Sequence, residues 1–225
     1  MIKIETKGDL TRAVAVMAFL QDRACCVMAG ADWKTKNLPF YRAAYVEAVE
    51  YIDHIGFKWW KDNQPDMANA GMEIVDILHF VLSDAIEKGY EGAVADCLWM
   101  AAMRAEAAEA NGEDFRSPPA LVDLAEQFVG HCATKKHIPV DLFAMLAVST
   151  MGLGELYTRY VAKNALNLFR QANGDRDGTY NRRHNGVEDN DVVIRALDGI
   201  IDLRLEDLFD YITQKLSEHY SHEPS

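Results

Sequence analysis

The chain has 225 residues, 49 % of them hydrophobic and 26 % charged. That is the composition of an ordinary globular protein and excludes an intrinsically disordered one. With 23 basic against 35 acidic residues the formal net charge is −12, which argues against nucleic-acid polymers as partners, because these need a basic surface to displace phosphate counterions. The length suits one domain spanning 1–225. The four cysteines (Cys25, Cys26, Cys97, Cys132) have no CxxC or zinc-like spacing. The N-terminal stretch lacks the apolar core of a signal peptide, and no window is apolar enough to span a bilayer. Reduced thiols, a cytoplasmic location and no membrane partner are therefore expected.

Helical periodicity governs the chain. A first helix is expected from about Asp9 to Met28, with Leu10, Val14, Met17 and Leu20 on one stripe. Gly30 to Pro39 reads as a loop holding Trp33. A second helix is expected from Tyr41 to Ile55, closed by Gly56 and followed by Lys58-Trp-Trp-Lys61 and a turn at Asn63-Gln-Pro65. Asp66 suits the N-cap of a third helix that stops at Gly89. A fourth is expected from Glu91 to Ala110, and Ser117-Pro-Pro119 opens a fifth that runs to Thr134. Pro139 opens a long sixth through Gln171, with Gly152 and Gly154 as sites of bending or close approach. The stretch 173–190 is polar, rich in Gly and Asp and aperiodic, and is expected to be a mobile loop. Two amphipathic helices, 192–201 and 206–219, complete the chain. No strand alternation or internal repeat stands out. The fold class is all-α, a helical bundle.

Two acid pairs carry the chemistry. Glu47 and Glu50 are three residues apart, as are Glu73 and Asp76, and on a helix such pairs share a face about 5–6 Å apart at their β-carbons. Glu47 and Glu50 also fit a solvated face. Glu73 and Asp76 do not, since Ile74, Val75, Ile77, Leu78, Phe80, Val81 and Leu82 surround them. Buried carboxylates must be paired, hydrogen-bonded or metal-bound. A short connection makes the second and third helices antiparallel neighbours, which brings the pairs together as an oxygen-rich site for a hard cation such as Mg²⁺, and Mg²⁺ in turn implies a phosphorylated ligand. Asp53 suits a salt bridge. His79 is either a satisfied core histidine or a ligand contact beside the metal. A di-iron bundle needs a second acid-x-x-His pair, and none exists. Arg170, Arg176, Arg182 and Arg183 form either a solvated basic patch or a phosphate clamp. Trp33, Trp59 and Trp60 suit core packing or an aromatic face for a base.

The arrangement Glu47-x-x-Glu50 then Glu73-x-x-Asp76 resembles the signature of the all-α nucleoside triphosphate pyrophosphohydrolases, the MazG-like superfamily. Three runs narrow the resemblance to the dimeric dUTPases of kinetoplastids, some bacteria and phages. They are Tyr45-Val-Glu-Ala-Val-Glu-Tyr-Ile-Asp53, Lys58-Trp-Trp-Lys61 and Glu73-Ile-Val-Asp-Ile-Leu-His-Phe-Val-Leu-Ser83. The distal runs Phe169-Arg-Gln-Ala-Asn-Gly174, Gly178-Thr-Tyr180 and Asn185-Gly-Val-Glu-Asp-Asn190 agree. The resemblance implies a homodimer that converts dUTP, and often dUDP, to dUMP by attack of a metal-activated water. Two or more Mg²⁺ ions, with Mn²⁺ as a substitute, would be held by Glu47, Glu50, Glu73 and Asp76, and a second-helix acid, Glu47 by preference, would serve as base. Gln21, Trp59, His79, Phe80 and Asn190 match positions around the deoxyuridine, and Lys61, Arg176, Tyr180 and Arg182 match the phosphate side. The chain departs from the family at Ala24-Cys-Cys26, at His184 where a tryptophan is usual, and at Arg176 where a lysine is usual. These changes touch the base side more than the metal side. The alternatives are the same chemistry on another nucleotide such as dCTP, or a helical module whose acids hold a structural cation.

Overall fold

A computed structural model describes residues 2–62, 64–184, 186–200 and 203–220. The expected turn residue Asn63, Asn185 of the distal run and Ile201 at the expected end of the penultimate helix lie outside the described residues. Among the described residues the chain forms nine α-helices and one two-residue β-ribbon. No single helix there is long and apolar enough to cross a membrane.

Helix α1 (Lys7–Ala29) starts on a capping box. The Thr6 hydroxyl accepts from the Asp9 amide, the Asp9 carboxylate accepts from the Thr6 amide, and two donors that the helix cannot use are thereby satisfied. Helices α2 (Phe40–His54) and α3 (Met67–Lys88) form the most intimate pair in the fold. Asp66 caps α3 through the Asn69 amide (3.1 Å), and its own amide donates to the His54 carbonyl at the end of α2 (2.8 Å). The end of one helix is thus tied to the start of the other, which makes them antiparallel. Gly89 closes α3 in the left-handed conformation that glycine adopts without strain.

α3 is the central helix. Ile74, Val75, Ile77, Leu78, Val81 and Leu82 are wholly buried, packed against α1, α2, α4 (Glu91–Ala110), α6 (Val140–Thr150) and α7 (Leu153–Ala172). Helix α5 (Pro118–Lys135) covers α2 and α6.

The single long helix expected from Pro139 to Gln171 is two, α6 and α7, whose axes turn by 101°. Met151 and Gly152 both take extended backbone there, and the start of α7 must pass the N-terminal segment: a β-carbon on Gly154 would lie 2.2 Å from the Ile2 carbonyl oxygen.

The segment 173–190 is also more structured than its composition suggests. It turns through Gly174 (φ +97°), where a β-carbon would lie 2.0 Å from the Thr179 hydroxyl. It then forms the ribbon β1 (Arg183–His184) and β2 (Val187–Glu188), paired antiparallel. Helix α8 (Asp189–Asp198) therefore begins earlier than periodicity indicates, and α9 (Leu208–Tyr220) packs on α7 and α8. All four cysteines are free thiols, with Cys25 and Cys132 buried.

Candidate active site

The antiparallel pairing sets the register of the acids. His54 Nε2 lies 3.4 Å from Glu73 Oε1, and, further toward the middle of both helices, Glu47 meets Glu73 and Asp76. Oxygens from Glu47, Glu73 and Asp76 all lie within 4.8 Å of one another, and each residue is half-buried. Glu50 is exposed and stands outside this trio.

Crowding like charges in a partly desolvated place raises carboxyl pKa values. Glu47 is pushed up to about 7, first by burial and then by the charges of Asp76, Glu50 and Glu73. Glu73 is raised by the same kinds of cause, burial first. One cation opposes this. Lys163, from the middle of α7, pairs directly with Asp76 and pulls the pKa of both glutamates down. Three converging carboxylates whose repulsion Lys163 relieves only in part form an all-oxygen donor set, which fits a hard divalent cation such as Mg²⁺.

His79 follows one turn after Asp76 and is buried. Its Nδ1 lies 2.8 Å from the Val75 carbonyl, which can only accept, so Nδ1 carries the hydrogen and Nε2 presents a lone pair. That Nε2 is buried and has no hydrogen-bond partner among the described residues. Burial depresses the ring's pKa to about 4, which keeps it neutral. The Tyr160 ring of α7 lies against it at 4.4 Å between centroids.

Gln21 lies one layer behind His79. It is buried, and both ends of its amide are engaged: Nε2 donates to Ser83 Oγ (2.9 Å) and Oε1 accepts from Tyr160 OH (2.6 Å). Ser83 Oγ donates to the His79 carbonyl (2.8 Å), so the Cys25 thiol, 3.3 Å away, is the donor to Ser83. In this structure Gln21 therefore reaches the site through Tyr160 and Ser83.

The remaining sequence-chosen residues are dispersed. Phe80 is half-buried beside His79. Trp33 is core, with no exposed surface and its indole N–H on Asp22 (2.9 Å). Core packing does not describe Trp59 and Trp60, which are 89 % and 55 % exposed in the α2–α3 connection and stand edge to face against each other, with Phe57 packed on Trp60. Lys61 is exposed in the same connection, and Asp53 is the salt-bridging acid expected, paired with Lys58. On the distal segment Arg176 and Asn190 are exposed, and Arg182 lies 3.4 Å from Asp175. Arg170 makes a bidentate pair with buried Asp189 (2.8 Å twice), which also accepts from Tyr180 OH (3.0 Å). Arg170 thus anchors the segment.

Lys163 and His54 escaped the sequence reading. A signal existed for each. Lys163 and Asn164 interrupt the apolar run Tyr160-Val-Ala-Lys-Asn-Ala-Leu166 much as Asp76 interrupts its own, and His54 lies one turn after Glu50 on the acid face of α2.

The sequence profile of a family described as dUTPase matches residues 10–174, which takes in most of α1, all of α2 to α7 and every residue of the acid site. The chain belongs to the dUTPase family. It is accordingly an enzyme, a dUTP diphosphatase. No curated protein matches the chain. The profile match ends at Gly174, so Arg176, Tyr180, Arg182 and Asn190 lie beyond it.

Proposed function

We propose that this dUTPase cleaves dUTP, and also dUDP, to dUMP in a Mg²⁺-dependent reaction at the acid site between α2 and α3. The convergence of Glu47, Glu73 and Asp76 carries this reading. Those three, with Glu50 at the rim, would hold the ions, and Mn²⁺ would substitute. When bound, the ions supply the positive charge that phosphoanhydride cleavage needs on the phosphate oxygens. Glu47 takes the proton of the attacking water at its carboxylate, since proton transfer requires a positioned base. No nucleophilic side chain is needed.

The base preference is supported by His79. With Nδ1 committed to Val75, the ring offers an acceptor at Nε2. That acceptor suits the N3–H of uracil and repels the N3 lone pair of cytosine, so dUTP is favoured over dCTP. Phe80 and Trp59 supply apolar surface for the base, with Gln21 and Asn190 as further contacts. Lys61, Arg176, Tyr180 and Arg182 serve the phosphate side. We further assign the active form as a homodimer, supported by the exposed apolar residues Val46 and Val49 on α2.

A single panel tests the reading: product release from dUTP, dUDP, dCTP and the other deoxynucleoside triphosphates, with Mg²⁺, with Mn²⁺ and with chelator. Turnover of dUTP and dUDP only with a divalent cation, and discrimination against dCTP by about 100-fold or more, is expected for a site built around a buried hydrogen-bonding group. Turnover in chelator would overturn the metal dependence. Equal rates on dCTP would overturn the role of His79.

A further inference from the structure

Helix α7 carries basic residues at helical spacing, Arg159, Lys163 and Arg170, and Lys163 reaches the acid site. Two are committed elsewhere. Arg159 pairs with Glu155 (2.7 Å) and donates to the Ala68 carbonyl (3.3 Å), while Arg170 is locked on Asp189. Lys163 alone of the three has a candidate metal ligand, Asp76, as its partner. It reaches across from a helix that carries none of the four acids.

We propose that Lys163 is the site's resident counter-cation, holding Asp76 while divalent ions are absent and yielding Asp76 to them when they bind. This rests on the metal-dependent reading of the acid site. Three carboxylates within 4.8 Å cannot all be ionised beside one another without compensation. Lys163 supplies that compensation from within the chain, and its charge reaches Glu47 and Glu73 as well as Asp76. The residue type suits exchange. An ammonium is a compact, strongly hydrated charge on a flexible four-carbon stem, which can leave one oxygen without moving its backbone, whereas a guanidinium fork binds a carboxylate bidentately and resists release. Once displaced, the ammonium stays tethered beside the acids, where the incoming anionic nucleotide supplies its next partner. Lys163 thereby keeps the empty site assembled at the expense of metal affinity.

The test is Mn²⁺ binding to nucleotide-free protein at pH 8.5, followed by electron paramagnetic resonance, together with melting in chelator. Lys163→Met should bind Mn²⁺ about tenfold more tightly than the wild type, because the competing charge is gone. It should also melt at a lower temperature in chelator and gain more from added Mn²⁺. Lys163→Arg, which keeps the charge, should bind no more tightly than the wild type. Should Lys163→Met fail to fold without metal, Lys163→Gln, which keeps a hydrogen bond to Asp76 but no charge, provides the same affinity comparison. Unchanged or weaker Mn²⁺ binding by the neutral variants overturns the role of Lys163, even if the wild type hydrolyses dUTP with Mg²⁺. Tighter binding by those variants in a protein whose turnover is indifferent to metal upholds Lys163 and overturns the metal-dependent reading instead.

Discussion

Glu47 concentrates the electrostatics of the site in one side chain. In the folded protein its carboxyl titrates at about 7, against a usual value of 4.5. Between those two pH values the folded chain therefore holds a proton that the unfolded chain has lost. Linkage makes the resulting stability complete below about pH 4.5 and removes it as pH rises through 7. His79 works in the opposite direction: its folded pKa is lowered from 6.5 to about 4, so its contribution is lost as pH falls through that window. Comparing the wild type with Glu47→Gln cancels the histidine, which both proteins share. In chelator, the wild type should melt below Glu47→Gln at pH 8, and the gap should be much smaller at pH 5, close to the lower end of the Glu47 window. The site is partly exposed, and solvent screening reduces the difference to about 1 kcal/mol, a melting shift of about 2–4 °C for a chain of this size. A gap that is the same at pH 5 and pH 8, read by calorimetry in matched buffers, would place the raised pKa elsewhere.

At the scale of elements, helix periods and caps were legible in the sequence because they depend on neighbours a few residues away. The Asp66 cap, the Gly89 stop and the span of α4 follow from local chemistry alone. The acid trio was legible for a related reason, since i,i+3 spacing on two helices joined by a short connection brings Glu47 to Glu73 and Asp76, although the same spacing leaves Glu50 exposed outside them. What escaped depends on partners far along the chain. Lys163 pairs with Asp76 from another helix, the 101° turn between α6 and α7 is driven by packing, and the ribbon at 183–188 is two residues wide and leaves no alternation to detect. The two glycines at the turn separate local from distant causes. Gly152 has an ordinary φ of −71° and open space where a β-carbon would sit, whereas at Gly154 that carbon would strike the backbone of Ile2. Gly152→Ala should therefore change stability by no more than about 0.5 kcal/mol. Gly154→Ala should cost about 1–3 kcal/mol, because the obstacle is main chain and cannot rotate away. Thermal melts of the pair decide this, and equal effects would mean that the N-terminal segment does not brace α7.

For the molecule as a whole, the bundle of α1 to α7 carries the acid site, while the ribbon, α8 and α9 form a second layer docked on the end of α7. Apolar packing of Leu208, Ile212 and Leu216 and the Tyr157 hydrogen bond to the Leu205 carbonyl help to hold that layer, and two further contacts stand out. One is an aromatic group in which Phe169, Tyr180, His184 and Tyr220 meet, with the rings of Tyr180 and Tyr220 stacked at 6.0 Å and that of His184 4.5 Å from Tyr220. The other is Asp189, buried and bound by Arg170 and Tyr180 together. Arg170 lies two turns beyond Lys163 on the same helix, about 10 Å along its axis, so the pair that anchors the distal layer and the pair that balances the acids share one rigid rod. Asp189→Ala removes the carboxylate and leaves a mostly buried guanidinium unpaired, a loss of about 3–5 kcal/mol for a buried pair. It should act first on the layer that Asp189 holds, since Arg176, Arg182 and Arg183 sit on the released segment. Trypsin should then cut at those arginines at temperatures where the helical signal of the bundle is intact. If Arg176 and Arg182 take the phosphates as proposed, the KM for dUTP should rise, because the segment that carries them is no longer held, while Mn²⁺ affinity at the proposed site between α2, α3 and Lys163 should stay at the wild-type value. Cleavage no faster than in the wild type would show that the other contacts secure the layer without Asp189, and a parallel loss of Mn²⁺ binding would show that the layer and the acid site unfold as one.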